Sequence, residues 1–228
     1  MLTQIYEVCS PEEARAISAI GVDHIGAKVG QEQFSRELSV DAAGKIAKAI
    51  RAPSKLVALF LTADMSLIQE WARDLRPAIV HLGAPAKMLS PEDVRLLKKQ
   101  LPGSVIMRSV PVAGEESVAI ARSYDLIADY LLLDSIRPGD QKLGAVGVPH
   151  DWSISRRIVE LVHIPVVLAG GLGPDNVAEA IRLVRPAGVD SKTKTDQDGS
   201  HAKDLERVRR FHEEARAMQS ILSAELIG

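Results

Sequence analysis

The sequence contains a single cysteine, few aromatic residues and almost no net charge. Cys9 alone cannot form an intrachain disulfide, which excludes the small disulfide-stabilised scaffolds. Aromatic residues make up 4% of the chain and the formal net charge is -2. Nucleic-acid binding relies on a positive field and on stacking side chains, so we expect no nucleic-acid partner.

Long apolar runs are also missing. Segments such as Leu56–Leu61 and Tyr130–Leu133 are much shorter than the roughly 20 residues that a membrane-spanning helix needs. The first residues after Met1 lack the basic flank and the long apolar stretch of a signal peptide. The sequence therefore predicts a cytoplasmic protein without a membrane partner.

The sequence does contain a regular alternation of two kinds of segment over its 228 residues, 46% of which are hydrophobic. Short apolar, β-branched runs alternate with longer stretches of helical spacing that open on Ser, Asp or Pro. The predicted strands are Leu2–Val8, Val22–Lys28, Lys55–Leu61, Ala78–Leu82, Ser104–Val110, Tyr130–Asp134, Pro165–Ala169 and Ala187–Asp190. The predicted helices are Pro11–Ile20, Val40–Ile50, Met65–Leu75, Pro91–Gln100, Gly114–Tyr124, Asp151–Val162, Pro174–Val184 and Lys203–Met218.

Eight such strand–helix units predict an α/β fold, a parallel eight-stranded (β/α)8 TIM barrel that spans residues 1–228 as one domain. The alternative is an open, doubly wound sheet, which would need a glycine-rich dinucleotide turn after an early strand. The first such turn is Cys9-Ser10-Pro11 and contains no glycine. The barrel is therefore favoured.

In such barrels the reaction centre lies at the carboxyl ends of the strands, so polar residues at those ends are the candidates for chemistry. Asp134 ends the sixth strand after three leucines. A carboxylate that is shielded from water at the barrel mouth has a raised pKa and can act as a general acid or base. A cap or loop-bracing role for Asp134 is an equal alternative.

The ends of the seventh and eighth strands carry the features of an anion site. Gly170 and Gly171 would let backbone N–H groups approach a phosphate, while Lys192, Thr193 and Lys194 add charge and a hydroxyl donor. The alternative is a tight glycine turn followed by a solvated loop. The loops after these two strands are the usual phosphate site of this fold, which favours the phosphate interpretation.

A binding role is also open to residues of the second and fourth strands. Arg36, in the long loop after the second strand, has a guanidinium that could hold a substrate carboxylate by two bonds, although a surface role is the alternative. The six histidines, His81 of the fourth strand among them, show no metal-ligand spacing, so we predict no metal and no other cofactor.

Taken together, these residues resemble the phosphoribosylanthranilate isomerase family, (β/α)8 enzymes of tryptophan biosynthesis that perform an Amadori rearrangement. The resemblance covers almost the whole chain and is strongest in residues 167–181 (VLAGGLGPDNVAEAI), followed by Val184-Arg185-Pro186 and Gly188-Val189-Asp190. Further support comes from Pro11–Ala14, from Ser35-Arg36 and from Leu132–Asp134. The segment from Gly144 to Trp152 resembles a degraded copy of the family's glycine-rich loop.

The family's reaction needs a general acid that protonates the furanose ring oxygen and a general base that removes the C2 proton. The resemblance implies that Asp134 is the acid, that Arg36 and His81 contact the substrate, and that Gly170 and Gly171 form part of the phosphate cradle. The strand-eight loop departs from the family pattern Val-Ser-Ser-Gly-Val-Glu, because lysines 192 and 194 stand in it. The fourth strand departs as well, because it reads His81-Leu82-Gly83-Ala84 where the family has Gln-Leu-His-Gly.

The base is the third departure. The family carries Lys-Ile-Cys-Gly on the first strand, where this chain has Gln4, Tyr6 at the cysteine position and Glu7 at the glycine position. Tyrosine has a pKa of about 10 and is a poor base at neutral pH unless a cation lowers it. Glu7 needs a one-residue shift in strand register to reach the pocket, and Cys9 should lie in the turn. The three residues remain alternatives.

Three functions remain open at this stage. The first is an aldose–ketose isomerase of the phosphoribosylanthranilate type, acting on a phosphorylated sugar derivative. The second is an aldolase or lyase that forms a Schiff base through Lys192 or Lys194, and the third is a non-catalytic protein that binds a phosphorylated metabolite. The tail 219–228 either extends the last helix into a homodimer contact or packs on its own subunit.

Overall fold

Eight parallel strands close into a barrel, with each strand paired to its neighbours in the sequence and the first strand paired to the last. The computed structural model describes residues 1–135 and 152–225. In chain order the elements are β1 Leu2–Ile5, α1 Pro11–Ile20, β2 His24–Lys28, α2 Val40–Ala49, β3 Lys55–Phe60, α3 Met65–Leu75, β4 Ile79–Leu82, α4 Pro91–Gln100, β5 Val105–Val112, α5 Glu116–Tyr124, β6 Tyr130–Ser135, α6 Trp152–Leu161, β7 Val166–Leu168, α7 Val177–Val184, β8 Gly188–Ser191 and α8 Leu205–Glu225. The predicted (β/α)8 fold is confirmed.

Local sequence signals position several of the helices. Ser10, Ser39 and Ser90 each accept a hydrogen bond from the backbone N–H three residues on, at the start of α1, α2 and α4. Such a side chain satisfies one of the N–H groups that the first helical turn leaves without a partner, and contributes about 1 kcal/mol. The residues that the sequence marks as helix starts therefore act as caps.

The hydrophobic core has two layers, because alternate strand residues point to opposite faces of the sheet. The larger layer lies between the strands and the helices. The smaller layer fills the barrel and consists of Tyr6, Val57, Ile79, Met107, Leu132, Val167 and Ala169. The interior also holds the buried polar side chains of Gln4, His24 and Asp190, which belong to neighbouring strands.

Three predicted boundaries differ from the structure by three residues or more, and the others by at most two. β1 ends at Ile5 rather than Val8, because the backbone turns left-handed at Glu7 with φ of 58°. α7 begins at Val177 rather than Pro174, because Asn176 holds the preceding turn by accepting from the Gly173 N–H and donating to the Gly171 carbonyl. The last helix continues to Glu225 instead of ending at Met218.

The extended α8 packs at least partly on its own subunit. Leu222 is buried, and Glu225 forms an ion pair with Arg185 at the end of α7. Ile221 on the same helix remains half exposed. Among residues 1–135 and 152–225, no helix has the length and apolar character required to cross a membrane.

Candidate active site

Two carboxylates from β6 and β8 lie at the carboxyl end of the barrel. Asp134 accepts a hydrogen bond from the Ser135 backbone N–H at 2.8 Å, and Asp190 accepts one from Gln4 Nε2 at 3.1 Å. Gln4 is in register with Asp190 across the β1–β8 pair. Within the described chain neither carboxylate forms an ion pair. Asp190 is buried and Asp134 is half-buried, and neither has a direct cationic partner among the described residues.

The surroundings of these carboxylates favour their protonated forms. Burial raises the pKa of Asp134 to about 6, against the opposing effects of the Ser135 N–H and Lys192. Burial and the neighbouring Asp134 charge raise the pKa of Asp190 to about 8. Two interacting carboxyl groups with separated pKa values hold an exchangeable proton near neutral pH. The pair can thus supply a general acid.

Asp190 is the functional candidate that the sequence-based site prediction missed. The signal was present, because the eighth predicted strand ends in an aspartate as the sixth does. What the sequence cannot show is that the Asp134 charge raises the pKa of Asp190 across the barrel mouth. That relation depends on β6 and β8 pairing with the two edges of β7.

Tyr6 lies across the barrel interior and is almost fully buried. Its ring packs on Gly26, where an added Cβ would come within 2.4 Å of the ring carbons. The Tyr6 hydroxyl hydrogen-bonds to Nδ1 of His81, whose Nε2 lies 2.7 Å from Ser109 Oγ. Tyr6 thus connects strand β1 to β4 and β5 through side chains.

Neither member of the Tyr6–His81 pair is charged at neutral pH. Burial, followed by the charge of Asp190, raises the pKa of Tyr6 well above its usual value. Burial and the Arg108 guanidinium lower the pKa of His81 to about 3. A protonated Tyr6 donates to His81 Nδ1, which leaves the Nε2–H of His81 to donate to Ser109. The arrangement therefore favours a hydrogen-bonding role for Tyr6 over a role as base.

Glu7 has the opposite environment at the same end of the barrel. Its carboxylate forms ion pairs with Lys28 at 3.1 Å, Arg36 at 2.9 Å and Lys192 at 2.5 Å. Burial alone would raise the pKa of Glu7, but Lys192, Lys28 and Arg36 together hold it below its usual value. Glu7 is consequently an ionised carboxylate, and Lys192 is its shortest contact.

Arg36 is held by groups of its own chain. Its Nη2 donates to the backbone carbonyls of Glu7 at 2.9 Å and His201 at 3.3 Å, in addition to the ion pair with the Glu7 side chain. Its Nη1 also lies 4.0 Å from Asp196, which is neutralised mainly by Lys203 at 2.5 Å. The structure thus places the predicted substrate-binding arginine at the barrel mouth, against an internal carboxylate.

The predicted phosphate loops lie side by side. Gly170 and Gly171 both have positive φ, 92° and 71°, a conformation that glycine adopts without strain. Thr193 and Lys194 are exposed in a short 3-10 turn, and the side chain of Lys194 packs against Gly173. Lys192 enters the Glu7 cluster instead of standing beside Lys194 in solvent.

Two further sequence-based candidates are placed less centrally. Cys9 is exposed in the turn after β1, and its thiol donates to the Glu7 carbonyl. The segment 144–151, compared above with the family's glycine-rich loop, lies outside the described residues. In the part of the chain that is described, no three His, Cys, Asp or Glu side chains are arranged to hold a metal ion.

Comparison with known proteins gives a consistent result. Residues 7–214 match the family model of N-(5'-phosphoribosyl)anthranilate (PRA) isomerase. The protein of that name from Methanocella arvoryzae is 33% identical over 207 residues, which cover 91% of this chain and 94% of the relative. A monomeric form of the dimeric enzyme from Thermotoga maritima superposes with a TM-score of 0.78 at 23% identity, covering 95% and 100% of the two chains.

A second solved structure carries a ligand. It is a phosphoribosylanthranilate isomerase in complex with reduced 1-(o-carboxyphenylamino)-1-deoxyribulose 5-phosphate, and it superposes with a TM-score of 0.76 at 22% identity. The alignment covers 95% of this chain and all of that one. At this identity the two structural matches establish the common barrel fold, while the sequence matches establish the relationship.

Proposed function

The chain belongs to the N-(5'-phosphoribosyl)anthranilate isomerase family, and from this we propose that it isomerises a phosphorylated aldose derivative to the ketose in tryptophan biosynthesis or a related pathway. The observation that carries the proposal is the Asp134–Asp190 pair, a half-buried and a buried carboxyl group whose pKa values are raised to about 6 and about 8. An enzyme that must protonate a sugar oxygen at neutral pH needs such a group.

In the proposed reaction Asp134 gives its proton to the furanose ring oxygen as the C1–O bond breaks, and the nitrogen lone pair forms the C1=N bond. A base then removes the C2 proton, the C2–H electron pair forms the C1=C2 bond, and the C1=N π electrons return to the nitrogen, which gives an enolamine that tautomerises to the ketose. Asp190 stays protonated while Asp134 is ionised, because the two charges repel each other. The proton that the base takes up balances the one that Asp134 gives, and exchange with solvent returns both groups to their starting forms after each turnover.

Glu7 is our choice for the base. It is ionised, lies at the carboxyl end of β1 and shares Lys192 with the two aspartates, since Lys192 acts on the pKa of all three carboxyl groups. Tyr6, the other open alternative, is buried and its hydroxyl is bound to neutral His81. We assign Tyr6 and His81 to shaping the floor of the site.

The phosphorylated end of the substrate is assigned to the region between β7, β8 and the Glu7 cluster. Gly170 and Gly171 provide a glycine turn there, and Lys192, Thr193 and Lys194 provide charge and a hydroxyl. Arg36 would contact the substrate at the edge of this region. A phosphorylated ligand is in keeping with the deoxyribulose 5-phosphate derivative bound by one of the structural relatives.

The proposal is tested by steady-state turnover of N-(5'-phosphoribosyl)anthranilate, followed by the loss of its fluorescence. We expect turnover by the wild-type protein and a loss of about 10²- to 10⁴-fold in the Asp134→Asn variant, the usual effect of removing a general acid. Asp175→Asn is a matched control, because Asp175 is exposed and paired with Arg210. Full activity of Asp134→Asn would remove Asp134 from the mechanism.

Absence of turnover by the wild-type protein would show that this anthranilate derivative is not the substrate. Trapping with borohydride in the presence of a carbonyl substrate separates the isomerase from the alternative Schiff-base chemistry. Lys192 is ion-paired with Glu7, and the Lys194 side chain extends along Gly173. We therefore expect no covalent adduct at either lysine.

The oligomeric state belongs to the same proposal. A dimer has been described for a structural relative from Thermotoga maritima. Here the half-exposed Ile221 on α8 provides an apolar side chain next to the buried Leu222. We propose a homodimer contact through this end of α8, and expect Ile221→Glu to change the mass measured by light scattering to that of one chain.

A further inference from the structure

Three cations of this chain converge on one carboxylate at the barrel mouth. Lys28 comes from the end of β2, Arg36 from the loop after it and Lys192 from the end of β8, and all three contact Glu7. Their side chains are largely withdrawn from solvent, with exposures of 11%, 15% and 23%. We call these three side chains the cation triad.

The charge of the cation triad is only partly compensated. Glu7 supplies one negative charge against three positive ones. Asp196 lies 4.0 Å from Arg36 but is engaged more closely by Lys203, at 2.5 Å. The carboxylates of Glu13 and Glu37 accept bonds from backbone N–H groups, and in the described chain neither forms an ion pair with the triad. Like charges held close together in a poorly solvated site attract a further anion.

Glu7 itself is held on unfavourable backbone. Its φ of 58° lies in the left-handed region, which a side chain with a Cβ occupies at a cost and which the family's glycine would occupy freely. The three ion pairs offset this cost. The Glu7 carboxylate therefore behaves as an anion that is tethered to the triad by the backbone. A free anion of higher charge would compete with it for the same three cations.

We propose that Lys28, Arg36 and Lys192 form a binding site for a dianionic group such as a phosphate monoester, and that Glu7 occupies this site as an exchangeable internal anion. The site uses side-chain cations of β2 and β8, whereas the glycine turn at Gly170 offers backbone N–H groups. It includes Lys28, which the proposed function did not assign. Only the identity of the natural ligand, the substrate's phosphate, rests on the proposed function.

The exchange has a chemical consequence for the base. While Glu7 is paired with three cations, its carboxylate is a weak proton acceptor. When a phosphate takes over the cations, burial is left as the main influence on Glu7 and strengthens it as a base. Binding of the phosphorylated end of the substrate would thus activate the group that removes the C2 proton.

The test is equilibrium binding of inorganic phosphate, measured by calorimetry at constant ionic strength so that general screening does not vary. Glu7→Gln removes the internal anion and keeps the side-chain shape. We expect it to bind phosphate about tenfold or more tightly than the wild-type protein, because a tethered competitor is lost. Lys28→Met should bind phosphate at least about fivefold more weakly, and Lys45→Met, an exposed lysine on α2, should bind as the wild type does.

Unchanged or weaker phosphate binding by Glu7→Gln would overturn the exchange, since phosphate would then bind elsewhere or together with Glu7. Glu7→Gly provides a second variant with the same lost carboxylate and a residue that accepts the left-handed backbone. Phosphate should also raise the melting temperature of Glu7→Gln more than that of the wild type. These measurements need no turnover. They therefore test the phosphate site even if the protein does not catalyse the proposed isomerase reaction.

Discussion

The carboxyl end of the barrel contains two regions that treat buried carboxylates in opposite ways. Between β6 and β8, Asp134 and Asp190 have no ion-pair partner in the described chain, and burial raises the pKa of both. Between β8, β1 and β2, Glu7 is also buried, yet three cations lower its pKa. Burial therefore does not decide the charge of a carboxyl group at this site. The side chains that face it do.

This difference separates two chemical tasks within one pocket. A carboxyl group that keeps its proton near neutral pH can act as an acid, whereas one that is ionised can accept a proton or balance cations. Lys192 links the two regions, because it contacts Glu7 directly and also lowers the pKa of both aspartates. A substitution of Lys192 should therefore change the charge environment of the aspartate pair and of Glu7 together.

Among the variants that probe this comparison, Lys192→Met should have the largest effect, because it removes charge from both regions at once. We expect kcat/KM for the phosphorylated substrate to fall by about 10²- to 10³-fold, as when one donor to a developing or bound anion is removed. The measurement is steady-state kinetics over a range of pH. Lys194→Met, in the 3-10 turn that directly follows Lys192 and without an ion pair in the described chain, is the comparison. Equal losses in the two variants would argue against a special role for Lys192.

Glu7→Gln should destabilise the protein at neutral pH by about 1–3 kcal/mol, because it leaves three half-buried cations without their carboxylate. Glu7 has a lowered pKa in the folded state, so its contribution is present above its usual value of 4.5 and is lost as the pH falls below that. Urea unfolding at about pH 7 and about pH 3 measures this. If the free energy of unfolding of the wild type exceeded that of the variant by the same amount at both pH values, the ion pairing of Glu7 would be contradicted.

Asp190→Asn should show the opposite dependence on pH. The pKa of Asp190 is raised from 3.8 to about 8, so the wild-type protein loses free energy of unfolding as the pH rises through that interval. The variant keeps an acceptor for Gln4 and never ionises. Between about pH 5 and about pH 9, the free energy of unfolding of the variant should therefore rise relative to that of the wild type by at least about 1.4 kcal/mol, the equivalent of one pKa unit.

A constant difference between Asp190→Asn and the wild type at all pH values would mean that Asp190 is not held protonated. Asp175→Asn again serves as the control, because Asp175 is exposed and should give no such slope. Measured together, Glu7→Gln and Asp190→Asn test the contrast directly, since the two pH slopes should differ in sign.

Tyr6→Phe should have the smallest effect. Loss of the hydroxyl removes one hydrogen bond to His81 and should cost about 1 kcal/mol in the free energy of unfolding. We expect kcat to fall by less than about tenfold, well below the effect of losing a base. A loss as large as that of Asp134→Asn, with retained stability, would identify Tyr6 as the base and refute our choice of Glu7.

Much of this molecule could be predicted from the sequence because it depends on local signals. The serines that begin α1, α2 and α4 and the β-branched runs between helices predicted the strand–helix order that the structure shows. The position of Asp134 at the end of β6 followed from the same pattern. The end of β1 did not, because nothing in its composition announces the left-handed backbone at Glu7, which three distant cations stabilise.

The sequence by itself therefore determined the barrel, its order of elements and the carboxylates that end β6 and β8, since periodicity and capping act within a few residues of each other. Only the tertiary structure decided which carboxyl group is ionised. That property depends on closure of the sheet, which leaves Asp134 and Asp190 without an ion pair and brings Lys28, Arg36 and Lys192 from distant parts of the chain to Glu7. Electrostatic interactions depend on the distance between charges in space, and this distance cannot be read from the separation of the residues along the chain.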